Sequence, residues 1–263
     1  MATAYIEEPR ATRYRQRLAA LLRRPSCRWI SFAIGTAPIH RDFFPDTAAS
    51  IEGLPTGGMR EWNGVSHRQV QYGVRLRVLD GAGRATYDAE RDLLVVPEEA
   101  EFESVDGQAR LLSACVHVGL AMKGRNLQWL DSECAARIAG QLYRLFESIG
   151  DGSGDAEVAD RIEKLAPQSP QDKAFYDVAT EILQHRRTTW LANMRVHHVL
   201  EPGSFMKIIR VDRRDRLHDL LLQGNGRKQR MTVPKPNPAA AIRAKSFLAL
   251  QELQPTLPLP LRA

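Results

Sequence analysis

The sequence predicts an α+β fold: a small antiparallel sheet packed on a helical core, followed by a basic C-terminal extension. Three observations predict it. The stretch "YGVRLRVLD" (72–80) alternates Val74, Leu76 and Val78 against Arg75 and Arg77, the period-two pattern of a half-buried strand. Two long segments, 107–123 and 131–149, place apolar residues at helical spacing. Beyond residue 205 the chain turns basic, with eleven Lys or Arg against Asp212, Asp215 and Asp219 over 205–245.

Taken in order, residues 11–24 read as an amphipathic helix with Leu18, Leu21 and Leu22 on one side, stopped by Pro25. "CRWISFAIG" (27–35) reads as a strand. Residues 35–68 are rich in Gly, Pro and Asp and read as irregular. "DGAG" (80–83) has the glycines that a tight turn needs, and "RDLLVVPEE" (91–99) gives a second strand closed by Pro97. Residues 69–97 thus read as a hairpin.

The helix over 107–123 carries Leu111, Leu112, Cys115, Val116, Leu120 and Met122 around most of its circumference, which implies burial on several sides. The helix over 131–149 spaces Ala135, Ile138, Ala139, Leu142, Leu145, Phe146 and Ile149 along one face, with Asp131 and Ser132 as N-cap types. "GDGSGD" (150–155) is a surface loop. Two more helices are expected over 156–166 and 170–193, the second with Phe175, Val178, Ala179, Ile182 and Leu183 inward. "MKIIRV" (206–211) reads as a strand, 213–223 as a basic helix and 239–253 as a last helix. "PTLPLPLRA" (255–263) is an extended tail. These elements divide the chain into an N-terminal segment (1–68), an α+β core (69–200) and the extension (201–263).

A chain of 263 residues with 43% hydrophobic and 26% charged residues buries a substantial core. Its three cysteines, Cys27, Cys115 and Cys134, are odd in number and show no C-x-x-C spacing. That pattern indicates neither a disulfide framework nor a cysteine zinc site and fits a reducing compartment. No apolar run approaches the roughly 18 residues of a membrane span, so a cytoplasmic protein with no membrane partner is expected.

The net charge of +6 is unevenly spread. Residues 1–41 hold eight Arg against Glu7 and Glu8. With both ends basic, the stretch 42–204 is left acidic. Such ends suit nucleic acid, an acidic partner, or the body of the same protein. The phosphate-loop spacing is absent from "GNGRKQR" (224–230), and there is no G-x-S-x-G elbow. His197 and His198 are adjacent and so point in different directions, and His40 and His67 have no neighbour at metal spacing.

The order "RATYDAERDLLVVPE", "ARLLSACVHVGLAM" and "LDSECAARIAGQLYRLF" over residues 84–149 resembles the core of bacterial zincin-type metallopeptidases. In those, a strand precedes a helix bearing HExxH, and a second helix offers a glutamate as third zinc ligand. The resemblance covers about a quarter of the chain and lies in layout more than in motif. It implies that His117 stands for the first zinc histidine and Glu133, sixteen residues later, for the third ligand. Val118 then stands where the general-base glutamate belongs, and Ala121 where the second histidine belongs.

The chemistry of the motif needs two histidines on one helix face and a carboxylate to activate the metal-bound water. Valine accepts no proton and alanine binds no metal, so the resemblance implies a scaffold that has lost its peptidase activity. Read without it, His117 is a core histidine, Glu133 an acid favourable to the helix dipole, and Cys115 and Cys134 small buried hydrophobes.

The expectation is therefore a zincin-like, non-catalytic interaction protein whose partner is another protein, with no cofactor. Zinc, bound by an active metallohydrolase, is the alternative on the cofactor. The alternative on function is a nucleic-acid-associated protein working through 205–245. Its contacts would be Arg210, Arg213, Arg214, Arg216, Arg227, Lys228 and Arg230.

Overall fold

The computed structural model describes residues 9–53, 59–62, 65–68, 73–79, 84–97, 100–122, 128–149, 155–167, 169–196 and 208–224. Helix α1 (Pro9–Leu22) buries Tyr14, Leu18, Leu21 and Leu22. A helical turn, α2 (Pro25–Arg28), leads to the strands β1 (Phe32–Ile34) and β2 (Ala37–Ile39), paired antiparallel with Phe32 opposite Ile39. Gly35 opens their two-residue loop at φ 53°, a left-handed conformation that glycine adopts without a Cβ penalty. Pro38 lies on the edge strand, where its missing donor is tolerated.

Helix α3 (Phe43–Glu52) follows, then the antiparallel pair β3 (Met59–Trp62) and β4 (Val65–Arg68). A three-stranded sheet comes next, from β5 (Arg75–Leu79), β6 (Thr86–Asp88) and β7 (Leu93–Pro97) in the order β5-β7-β6. The rest is helical: α4 (Ala100–Glu103), α5 (Val105–Met122), α6 (Trp129–Ile149), α7 (Asp155–Lys164), α8 (Pro170–Val196) and, after the short β8 (Ile209–Arg210), α9 (Arg214–Gly224). β8 pairs parallel with β1.

Helices α5 and α6 are the central pair. α3 packs on α5, and α1 on α3 and α5. The β5–β7–β6 sheet covers the same side through contacts with α1 and α5. The β1–β2 hairpin, α8 and α9 pack against α6. Among the described residues the buried apolar side chains form a cluster running from Ala11 to Leu221. The α3–α5 approach depends on Gly119, where a Cβ would come within 2.6 Å of Phe43 Cζ and 2.4 Å of Thr47 Oγ1. Between α5 and α6, Ser113 Oγ donates to the Ala136 carbonyl at 3.0 Å.

The α+β class is as expected, and helices dominate it, but the sheet is not. Instead of one small antiparallel sheet the described residues form three separate ones, two of them mixed. Residues 69–97 are not a simple hairpin. β5 runs parallel to β7, and parallel neighbours need a crossover rather than a tight turn.

The true hairpin is β6–β7, turned at residues 89–92, where Asp88 Oδ1 accepts the backbone N–H of Glu90 and of Arg91, both at 3.0 Å. Its strand β6 is too short to show a period. The "DGAG" turn lies outside the described residues. The alternation itself is as read: Val74 and Leu76 are buried, Val78 is half-buried, and Arg75 and Arg77 are exposed.

The segment 35–68 is not irregular, since it holds β2, α3, β3 and β4. Pro45 sits in the first turn of α3, where its missing N–H is harmless. Within "CRWISFAIG", Cys27 and Arg28 belong to the turn α2 and only Phe32–Ile34 is strand. Asp131 and Ser132 are not N-caps, because α6 starts at Trp129 and both lie inside its first turn. The helix expected over 239–253 and the proline-rich tail lie outside the described residues.

Candidate functional site

Two acids of α6, Glu133 and Asp131, organise the charged interior of the molecule. Glu133 faces α5. Its Oε2 lies 3.3 Å from His117 Nε2, and its Oε1 accepts a hydrogen bond from Arg137 Nε, one turn along, at 3.2 Å. Arg137 reaches on to Asp172 Oδ1 of α8 at 3.6 Å and lies over the Phe175 ring, 5.4 Å from its centroid.

Asp172 is itself placed by the start of α8. Its backbone N–H donates to Ser169 Oγ at 3.1 Å, and that hydroxyl donates to Asp172 Oδ2 at 2.8 Å. Ser169 thus caps the helix at its N-terminus, with Pro170 as first helical residue. His117, Glu133, Arg137 and Asp172 thus form a chain of polar contacts across three helices. Burial opposes ionisation of Glu133. The hydrogen bond and charge of His117, together with Arg137, outweigh it and hold the carboxyl down at about 2.

The residues expected to face this site do not complete a metal centre. Val118 is fully buried in the core and Ala121 is half-buried. Among the described residues no group of three or more His, Cys, Asp or Glu is placed to hold a metal ion. Zinc in such a site is held by three protein ligands, whereas here both oxygens of Glu133 are engaged by side chains of the chain itself, His117 and Arg137. Cys115 and Cys134 are free and fully buried, and burial pushes both thiols up to about 12.

Asp131 faces the other way. Its side chain is 2% exposed, and Oδ1 lies 2.9 Å from His218 Nε2 and 3.7 Å from Arg214 Nε, both on α9. The carboxylate also lies over the β1–β2 loop, where a Cβ on Gly35 would fall 2.2 Å from Oδ2. An oriented Asp–His pair is one half of a nucleophile-activating arrangement. Among the described residues no hydroxyl or thiol hydrogen-bonds to His218.

The basic ends behave as follows. In the N-terminal segment Arg17 pairs with Glu103 at 2.8 Å, Arg23 with Glu52, and Arg24 with Glu147 at 3.4 Å. Arg15 donates to the Ile51 carbonyl at 2.6 Å. Arg24 also donates to Gln108 Oε1 at 2.9 Å and to Tyr143 Oη at 3.0 Å. These arginines bind the acidic body of the same chain. Of the C-terminal set, Arg214 contacts Asp131 and, at 3.6 Å, Asp215, while Arg213 lies 3.6 Å from Glu181 of α8. Arg210 and Arg216 are exposed. Arg227, Lys228 and Arg230 lie outside the described residues, as do His197 and His198.

The structure therefore brings His117 and Glu133 together, and it adds three residues that the sequence did not single out: Arg137, Asp172 and His218. Arg137 stands four residues after Glu133, the i,i+4 spacing at which a helix pairs opposite charges, so its contact was legible. The contact of Asp131 with His218 spans 87 residues and has no local signal. Compared with protein-family models, curated proteins and solved structures, the chain has no match among them. Among the described residues no helix is long and apolar enough to cross a membrane.

Proposed function

We propose that the protein is a non-catalytic, zincin-like scaffold that works by contact with another protein. One observation carries this reading. The carboxylate of Glu133, at the position the resemblance makes the third zinc ligand, is occupied by contacts with His117 and Arg137 rather than left open to a metal. The second histidine and the general base that hydrolysis requires are Ala121 and Val118. The residues that would run the chemistry have become a structural ion pair and core packing. Three buried, free cysteines suit a reducing compartment, and we place the protein in the cytoplasm.

Binding of nucleic acid through 205–245 has the weaker footing. Arg214 is held at the buried Asp131, and of the exposed Arg210, Arg213 and Arg216 one, Arg213, already faces a carboxylate of the chain itself, Glu181. The test is a peptide-hydrolysis assay on the purified chain with a mixed peptide library, run with and without added zinc. The scaffold reading expects the peptides to survive intact in both. Zinc-dependent cleavage that is lost in His117→Ala would overturn it.

A further inference from the structure

The β5–β7–β6 sheet has two unlike faces. Leu76, Leu94 and Val96 belong to the core on one of them. On the other, the register sets Arg75 beside Leu93 and Asp88, and Arg77 beside Val95 and Thr86, because paired residues share a side of the sheet. Arg75, Arg77 and Thr86 are exposed there, and Leu93 and Val95 between them are half-buried. Arg84, also exposed, stands two residues before β6. This outer face thus carries an arginine row on β5, an aliphatic row on β7 and a polar row on β6.

Its charge is not balanced from within the chain. Asp88 is the one carboxylate of these rows, and it is already used. Its Oδ1 accepts the N–H groups of Glu90 and Arg91, and its Oδ2 lies 3.6 Å from Arg91 Nε. Arg75 donates to a carbonyl, that of Arg91, and so keeps its charge. Among the described residues no carboxylate pairs with Arg75, Arg77 or Arg84. Arg17, Arg137, Arg144 and Arg161, by contrast, each meet an acid of the chain.

We propose that this face docks an acidic, amphipathic segment of another protein. Its carboxylates lie on Arg75, Arg77 and Arg84, and its apolar side chains on Leu93 and Val95. The proposal rests on the reading that the chain works by protein contact, and it gives that partner its chemistry. Guanidinium forks match carboxylates in shape as well as charge. The aliphatic row supplies the apolar centre that a protein interface buries inside a polar rim. Nucleic acid fits the face less well, because stacking on bases needs an aromatic side chain. Tyr87 lies on the core side with Leu94, and its hydroxyl donates to Asp92 Oδ1 at 2.8 Å.

The experiment selects peptides from a random display library on the full chain and measures their binding by fluorescence anisotropy. The enriched peptides are expected to combine Asp or Glu with aliphatic residues, and to bind less tightly as salt is raised. The double variant Arg77→Glu, Arg84→Glu weakens them about tenfold or more. Both positions are exposed, so its Tm and circular dichroism stay those of the wild type. Val95→Thr weakens the peptides while leaving their salt dependence unchanged. The proposal is overturned if no peptide is enriched, if the enriched peptides bind the folded double variant as well as the wild type, or if mixed-sequence single-stranded RNA displaces them. Peptides held by another surface remove this face and leave protein contact standing. Failure of the scaffold reading shows separately, as zinc-dependent cleavage in the hydrolysis assay.

Discussion

Glu133 and Asp131 stand two residues apart on α6, roughly 200° around the helix, and each is met by one histidine and one arginine. The surroundings differ. Glu133 is held by α5 and by its own helix, it remains about a quarter exposed, and its chain of partners runs outward to Asp172. Asp131 is 2% exposed and is met by α9, 87 residues away in sequence, beneath a loop that closes only because Gly35 has no side chain. The same pair of residue types thus plays two parts. At Glu133 it joins α5 to α6 and, through Arg137, to α8. At Asp131 it fastens the end of the described chain to the core.

The comparison can be broken first at its buried side. Asp131→Ala removes a buried carboxylate from beside His218 and Arg214, which costs about 3 kcal/mol. Urea unfolding measures that loss, and hydrogen exchange should show α9 losing protection before α5. Next is Gly35→Ala. It places a methyl against the Asp131 carboxylate and a side chain at positive φ, for a combined cost of about 3 kcal/mol. The two changes are coupled. In the Asp131→Ala background only the backbone strain remains, and the glycine substitution falls to about 1–2 kcal/mol. A double-mutant cycle that came out additive would contradict the packing of this loop on Asp131.

The Glu133 side is expected to be smaller, and its pH dependence distinguishes it. Glu133→Gln costs about 1–2 kcal/mol at neutral pH. Because the folded carboxyl is held at about 2 against an ordinary value of 4.5, the unfolded chain binds the proton more readily. The contribution is therefore whole above pH 4.5 and is lost as pH falls from there towards 2. A stability–pH profile of Glu133→Gln should converge with the wild type over that window. A constant gap down to pH 2 would remove the ion pair from the account. The smallest effect is chemical: Cys115 and Cys134, buried and with thiols raised to about 12, should react with a thiol reagent at pH 8 only as fast as the protein opens. Rapid labelling of either in the folded protein would place it outside the core.

Much of this arrangement was legible, for physical reasons particular to each element. Long helices announce themselves because their spacing repeats over several turns, and the burial of Leu111, Leu112, Ile138 and Leu142 follows from it. His117 and Glu133 were legible as a pair only through the resemblance, since their helices must first pack to bring them together. α3 was missed because Pro45 and Asp46 read as loop chemistry, although Phe43, Phe44, Thr47, Ala48 and Ile51 already carry helical spacing. β6 and β8, at three and two residues, are shorter than any period. Arg214 reads from the sequence as a contact for nucleic acid or an acidic partner because nothing near it in the chain forecasts Asp131.

The central claim is that His117 and Arg137 occupy the carboxylate a zincin-like fold would offer to zinc. The direct measurement is metal content of protein purified without added zinc, then dialysed against zinc, for wild type and His117→Ala side by side. The account predicts less than stoichiometric metal in both, with no difference between them. One zinc per chain that disappears in His117→Ala would contradict it and make the pair a ligand set.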